Sequence, residues 1–113
     1  MELSIEVNRW KDATLLTCRG MLVHGRASEY LFAIATRPGH GDVVLDMQGV
    51  TQVDEAGTFV ILLCYELLTA SHRRLFLRNA SADVLEGLRR QQTNHAAGAA
   101  ASNANDQKGM RLQ

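Results

Sequence analysis

The sequence lacks an excess of either charge. Its 12 Lys and Arg residues balance 12 Asp and Glu residues, so no net field attracts the chain to nucleic acid or to anionic lipid. It also lacks a long apolar run, since the longest covers residues 59–65, far short of the roughly 20 residues that cross a bilayer. The amino-terminal residues alternate apolar and polar and carry Glu2 and Glu6, which is unlike a secretory signal. We therefore predict a cytoplasmic protein without a membrane span, whose partners are selected by shape and local chemistry.

Cysteine and histidine are too few and too scattered to predict a metal site. Cys18 and Cys64 lack CxxC spacing, and the four histidines fall in different predicted loops or helix ends without i, i+4 pairing. Each cysteine lies within an apolar pattern, so we predict that both are buried in the core. No GxSxG elbow marks an activated serine, and no GxxxxGK[ST] loop is present to hold phosphate. The sequence predicts no enzyme activity, no metal and no cofactor.

What the sequence does contain is an alternation of strand and helix patterns. Period-two alternation and short apolar runs predict strands at residues 2–8, 13–19, 42–47 and 75–77. Apolar residues at helical spacing predict helices at residues 26–36, at residues 55–71 and from Ser81 onward. Asp54 and Ser81 are placed to cap the second and third helices. The order strand, strand, helix, strand, helix, strand, helix predicts an α/β fold with a mixed β-sheet and helices packed on it.

The composition changes after Arg90. Residues 91–113 are rich in Ala, Asn, Gln and Gly with almost no large apolar side chain, so they bury too little surface to offset the entropy of ordering. We predict one domain over residues 1–90 and a low-complexity, disordered tail over residues 91–113. The Ala-rich run at residues 96–101 makes a frayed helix the alternative.

Residues 43–58, VVLDMQGVTQVDEAGT, resemble the signature of the STAS domain, a family named for sulfate transporters and anti-sigma-factor antagonists. That signature is a strand ending in LD, a short GV turn and a D-S-[SA]-G segment that opens a helix. Residues 79–85, NASADVL, look like the family's N-x-S-x-x-V-x-x-L step. The resemblance covers about residues 3–90 and implies a STAS-like mixed sheet with packed helices.

Three positions depart from the family's pattern. The serine that an anti-sigma kinase modifies precedes the motif glycine, and that position is Ala56, which has no hydroxyl to phosphorylate. The preceding position, commonly Ser, is Glu55, which either only complements the helix dipole or helps to select a partner. Val23 replaces the usual Asp in the turn at residues 20–23, GMLV, so a polar contact carried by that Asp is missing.

The resemblance implies a bacterial, non-catalytic signalling protein that regulates transcription by binding a kinase-type anti-sigma factor without the phosphoserine switch. The alternatives are an accessory subunit of a phospholipid or other ABC transporter, binding its ATPase, and a homodimeric module of a larger signalling complex. The expected partner-binding residues are Asp54, Glu55, Ala56, Gly57, Thr58, Val23 and His24. His24 is either a pH-sensing group or a solvated loop residue, and Trp10 either covers the sheet edge or joins an interface.

Overall fold

The computed structural model describes residues 2–99 and 110–111. Its elements are β1 (Ser4–Trp10), β2 (Ala13–Leu22), α1 (Arg26–Ala35), β3 (Val43–Val53), α2 (Glu55–Ala70), β4 (Leu75–Arg78), α3 (Ala82–Ala99) and β5 (Met110–Arg111). The strands are ordered β1-β2-β3-β4-β5, with β1 and β2 antiparallel and all later neighbours parallel. The predicted α/β class and mixed sheet are confirmed, as is the order of the first seven elements.

The core lies on one face of the sheet. Along β2, β3 and β4 every second side chain is buried, as the period of a strand with one covered face requires. These buried residues are Leu16, Cys18, Leu22, Val43, Leu45, Met47, Leu75 and Leu77. The helices cover this face, and α2 contacts both α1 and α3. Both cysteines are buried, as predicted, with 2% of Cys18 and 1% of Cys64 exposed.

The central helix, α2, is buried on more than one side. Its buried side chains include Val60, Ile61, Leu62, Cys64, Tyr65 and Leu68, because the sheet lies beneath α2 and the other two helices contact it. Phe59 and Leu67, two residues of the predicted helical spacing, are 53% and 46% exposed. The spacing predicted the helix correctly but not which of its apolar residues face the core.

The third strand extends further than predicted. After Met47 it continues to Val53 and remains parallel to β2, with shifts of register on the way. Gly49 permits this pairing, because a Cβ there would lie 2.9 Å from the carbonyl oxygen of Cys18. The extension ends directly before Asp54, so it brings the start of α2 to the end of β2.

The third helix also extends beyond its predicted end. The Ser81 hydroxyl accepts a hydrogen bond from the Val84 N–H at 3.2 Å, so the predicted cap is confirmed. The helix then continues to Ala99, so residues 91–99 are helical where a disordered tail was expected. Residues 100–109 and 112–113 lie outside the described residues, and the domain boundary at Arg90 stays a prediction. Within the part that is described, no helix is both long and apolar enough to cross a membrane.

Candidate protein-interaction site

One carboxylate joins the start of α2 to the loop that precedes α1. Asp54 Oδ1 accepts a hydrogen bond from the Gly57 N–H at 2.8 Å, which caps the helix as predicted. Asp54 Oδ2 accepts a second bond from the His24 N–H at 3.0 Å. The two segments that the sequence assigned to the site, residues 54–58 and residues 23–24, are therefore adjacent.

The hydrogen bonds to Asp54 stabilise its ionised form. Desolvation favours the protonated acid, but the N–H groups of His24 and Gly57 outweigh that effect and hold the pKa of Asp54 below its ordinary value. The carboxylate also complements the partial positive charge at the helix start. Asp54 is therefore negatively charged at neutral pH, with both of its oxygens already engaged.

Gly57 allows α2 to approach β2 closely. A Cβ at this position would collide with the carbonyl oxygen of Leu22 and lie 3.0 Å from Val53 Cγ1. Leu22 is the last residue of β2, so the close approach places the following loop beside the helix start. The glycine of the DEAG segment thus has a packing role in this chain.

The predicted site residues divide between the surface and the interior. Glu55 and His24 are exposed, whereas Asp54, Ala56 and Val23 are partly buried. Gly57 and Thr58 are buried. The Thr58 hydroxyl donates to the Asp54 carbonyl oxygen at 3.2 Å, and only 6% of this residue is exposed. Gly57 and Thr58 therefore support the surface from beneath, and their contact with a partner stays a prediction.

Glu55 carries the accessible charge of the site. Its carbonyl oxygen accepts a hydrogen bond from Gln91 Nε2 at 3.1 Å, so α3 holds the helix start in place. Its carboxylate forms no ion pair with any residue that the structure describes. Ala56 lies next to it and presents only a methyl group.

A polar groove beside the helix start was not apparent from the sequence. It has a volume of about 740 Å³ and lies between the end of β3, the start of α2 and the first turns of α3. Asp54, Glu55 and Asp83 line it together with Arg90. Three carboxylates against one guanidinium give the groove an acidic character. Its lining residues come from two distant stretches of the chain, residues 47–58 and 79–91, so no local sequence pattern marks it.

Comparison with known proteins identifies the class of this domain. A STAS domain family model matches residues 4–96. This range contains β1 to β4, α1, α2 and all of α3 except its last residues. The chain therefore belongs to the STAS domain family. No curated protein is similar enough in sequence to match it.

Solved structures agree with this membership. The anti-sigma factor antagonist SpoIIAA, in its unphosphorylated form, matches with a TM-score of 0.66 over 84% of this chain and 99% of SpoIIAA. The sequence identity is 14%, so this likeness establishes the fold alone. A crystal structure of Mglu matches with a TM-score of 0.62 and 25% identity over 68% of this chain. The match covers 20% of the Mglu chain and so concerns one part of that protein.

Proposed function

We propose that this protein is a non-catalytic interaction module of the anti-sigma-factor-antagonist kind, which binds a kinase-type anti-sigma factor through the start of α2. The observation that carries the proposal is the double hydrogen bond of Asp54, which holds His24 beside the helix start. Family membership and the SpoIIAA fold support it. The contact surface comprises Glu55, Ala56 and His24, with Asp54 and Val23 at its edge.

The chemistry of this surface favours a partner with a basic or hydrogen-bonding patch. Glu55 adds an accessible carboxylate, and the adjoining groove adds Asp83. Complementary charge accelerates association and excludes acidic partners. Because Asp54 uses both oxygens inside the domain, we expect Glu55 to contribute more than Asp54 to partner selection.

Because Ala56 has no hydroxyl, phosphorylation at this position cannot switch the binding of the partner on or off. Phosphorylation would add a charge of about −1.5 to −2 beside Glu55 and Asp54 and so change the charge of the contact surface. Alanine cannot accept the phosphoryl group. We propose that the binding is regulated by abundance or at another residue.

Affinity capture from native lysate with mass spectrometry tests the proposal. The bait proteins are wild type, Glu55→Arg and the matched control Glu86→Arg, which makes the same charge change on α3. Among the described residues, Glu86 forms a salt bridge with Arg89 alone, at the surface, and an exposed pair contributes at most about 1 kcal/mol. We expect wild type and Glu86→Arg to capture a histidine-kinase-type ATPase that Glu55→Arg does not retain.

Two outcomes would contradict this function. Identical partners for all three baits would remove the α2 start from the mechanism. Capture of an ABC-transporter ATPase in place of a kinase-type ATPase would favour the alternative of a transporter accessory subunit.

With a purified kinase-type partner and ATP, Ala56→Ser is expected to incorporate phosphate at position 56, and wild type is not.

A further inference from the structure

The face of the sheet opposite the helices carries an ordered set of side chains that the proposed function does not use. Several rows of side chains lie on this face, called here the open sheet face, and three of them cross β1 to β4, while Ser4 and Arg19 form a further pair beside them. The register of the strands assigns Glu6, Thr17, Asp46 and Arg78 to a charged row and Asn8, Leu15, Val44 and Phe76 to an apolar row. Continued by one residue, this register gives a third row of Trp10, Ala13, Asp42 and Arg74, in which Arg74 forms a salt bridge with Asp42 and lies over the Phe76 ring.

Apolar side chains lie at the centre of this face. Leu15, Val44 and Phe76 are partly exposed and are not among the side chains packed against the core. Trp10 is 72% exposed, and its ring contacts only the Lys11 ammonium at 5.0 Å among the aromatic and cationic contacts of the described residues. An apolar centre with polar ends is the usual composition of a protein interface.

The ends of the charged row have opposite signs. Glu6 lies on the outer strand β1, and Arg78 lies on β4, which is followed in the sheet only by the two-residue strand β5. Neither side chain forms a salt bridge within residues 2–99, although Arg78 lowers the pKa of the neighbouring Asp46. From β1 to β4 the row therefore begins with a negative charge and ends with a positive one, with the Asp46 carboxylate beside Arg78.

This arrangement is self-complementary under one twofold rotation. An axis in the plane of the face and parallel to the strands places β1 over β4 and β2 over β3 of a second copy. Glu6 then faces Arg78 of the other copy, and Leu15 faces Val44. In the third row Trp10 faces Arg74, a pairing of an aromatic ring with a guanidinium. A twofold axis across the strands would instead place Arg78 near Arg74 of the other copy, which is repulsive.

We propose that the open sheet face binds a second copy of this chain with the strands of the two sheets aligned. Stacked sheets pack about 10 Å apart with their strands within about 30° of each other. Four strands and three rows give a footprint of about 20 Å by 20 Å from the spacing of strands and residues. That is about half of the roughly 800 Å² per partner of a stable complex, so we expect the dimer to be weak.

Charge reversal in solution tests this dimer. Sedimentation equilibrium of the full chain is measured at protein concentrations from about 1 to 500 μM, a range that covers weak association. The one tryptophan of the sequence is Trp10, so its emission is expected to shift to shorter wavelength as the dimer forms. Glu6→Arg and Arg78→Glu each place like charges together twice in a symmetric dimer, and each is expected to weaken association about tenfold or more.

Mixing the two variants separates this geometry from other modes of association. In the mixed dimer every Arg at position 6 or 78 faces a Glu, so the equimolar mixture is expected to associate more strongly than either variant alone. Glu29→Arg, an exposed control on α1, is expected to associate like wild type. A wild-type protein that stays monomeric up to 500 μM, or a mixture no more associated than its components, would overturn the proposal.

Discussion

Replacing Asp54 tests whether one carboxylate holds the candidate site together. Asp54→Ala removes the acceptor of the Gly57 N–H at 2.8 Å and of the His24 N–H at 3.0 Å. Loss of a helix cap costs about 1 kcal/mol, and loss of a second hydrogen bond to a charged group adds about 1.5 kcal/mol. Because Asp54 is only partly buried, water replaces part of each bond. We expect the free energy of unfolding to fall by about 2 kcal/mol.

Asp54→Asn is the matched variant for the second bond. Asparagine also caps helices and keeps one oxygen, but its amide NH₂ group cannot accept the His24 N–H. We therefore expect roughly half the loss seen with alanine. Urea unfolding of the three proteins at pH 7 measures this as a lower midpoint at unchanged slope. Equal stability of Asp54→Ala and wild type would refute the structural role of the carboxylate.

The stability difference between wild type and the Asp54 variants is also expected to depend on pH. The pKa of Asp54 is lower in the folded protein than its ordinary value, so the ionised group stabilises the fold above the unfolded pKa of about 4. This contribution disappears as the pH falls through the folded pKa. The stability difference between wild type and Asp54→Asn is expected to be constant from about pH 7 to 5 and to shrink below about pH 4. Asp46, whose pKa is also lowered, titrates in both proteins. A difference that is unchanged at pH 3 would show that ionised Asp54 has no stabilising effect.

Two further predictions concern packing. Gly57→Ala is expected to lower the free energy of unfolding by about 2 kcal/mol, since its Cβ would collide with the Leu22 carbonyl oxygen. Gly87→Ala, in α3, meets nothing closer than 3.4 Å and is expected to gain up to about 1 kcal/mol of helix propensity. Thermal unfolding that ranks the two variants the other way would contradict this reasoning. Burial raises the pKa of Cys18 and Cys64 to about 12, so at pH 8 a thiol reagent is expected to label them only as the protein unfolds. Labelling as fast as that of a free thiol would contradict their burial.

Local signals in the sequence were sufficient for the order of the first seven elements and for both predicted helix caps, but not for the ends of β3 and α3 or for β5. A cap depends on a side chain and an N–H only three residues away, as in Asp54 with Gly57 and Ser81 with Val84. A half-covered strand likewise keeps its period-two pattern within a few residues. The faces of α2 were less predictable, because residues 59–65 are all apolar and their spacing alone does not identify the buried side.

Contacts between distant segments could not be predicted. The Arg73 side chain donates to the carbonyl oxygens of Gly41 at 2.9 Å and Arg37 at 3.0 Å, so it holds a turn that is more than 30 residues away in the sequence. The bond between Asp54 and the His24 N–H spans 30 residues. The family resemblance indicated which segments form the site, but burial of Thr58 became apparent only from the packing of α2 against its neighbours.

The two proposed surfaces occupy different parts of the domain, which determines how they combine. Asp54 follows the end of β3 and belongs to the helix start, whereas Val44 and Asp46 lie near the beginning of the same strand and belong to the open sheet face. A dimer formed through the sheet therefore leaves both α2 starts accessible, and one dimer presents two partner sites. Titration calorimetry with the partner is expected to give one partner per chain and equal affinity for wild type and for Glu6→Arg, which is expected to dimerise more weakly. A weaker affinity of Glu6→Arg would mean that the partner contacts both copies, and dimerisation would then be part of recognition.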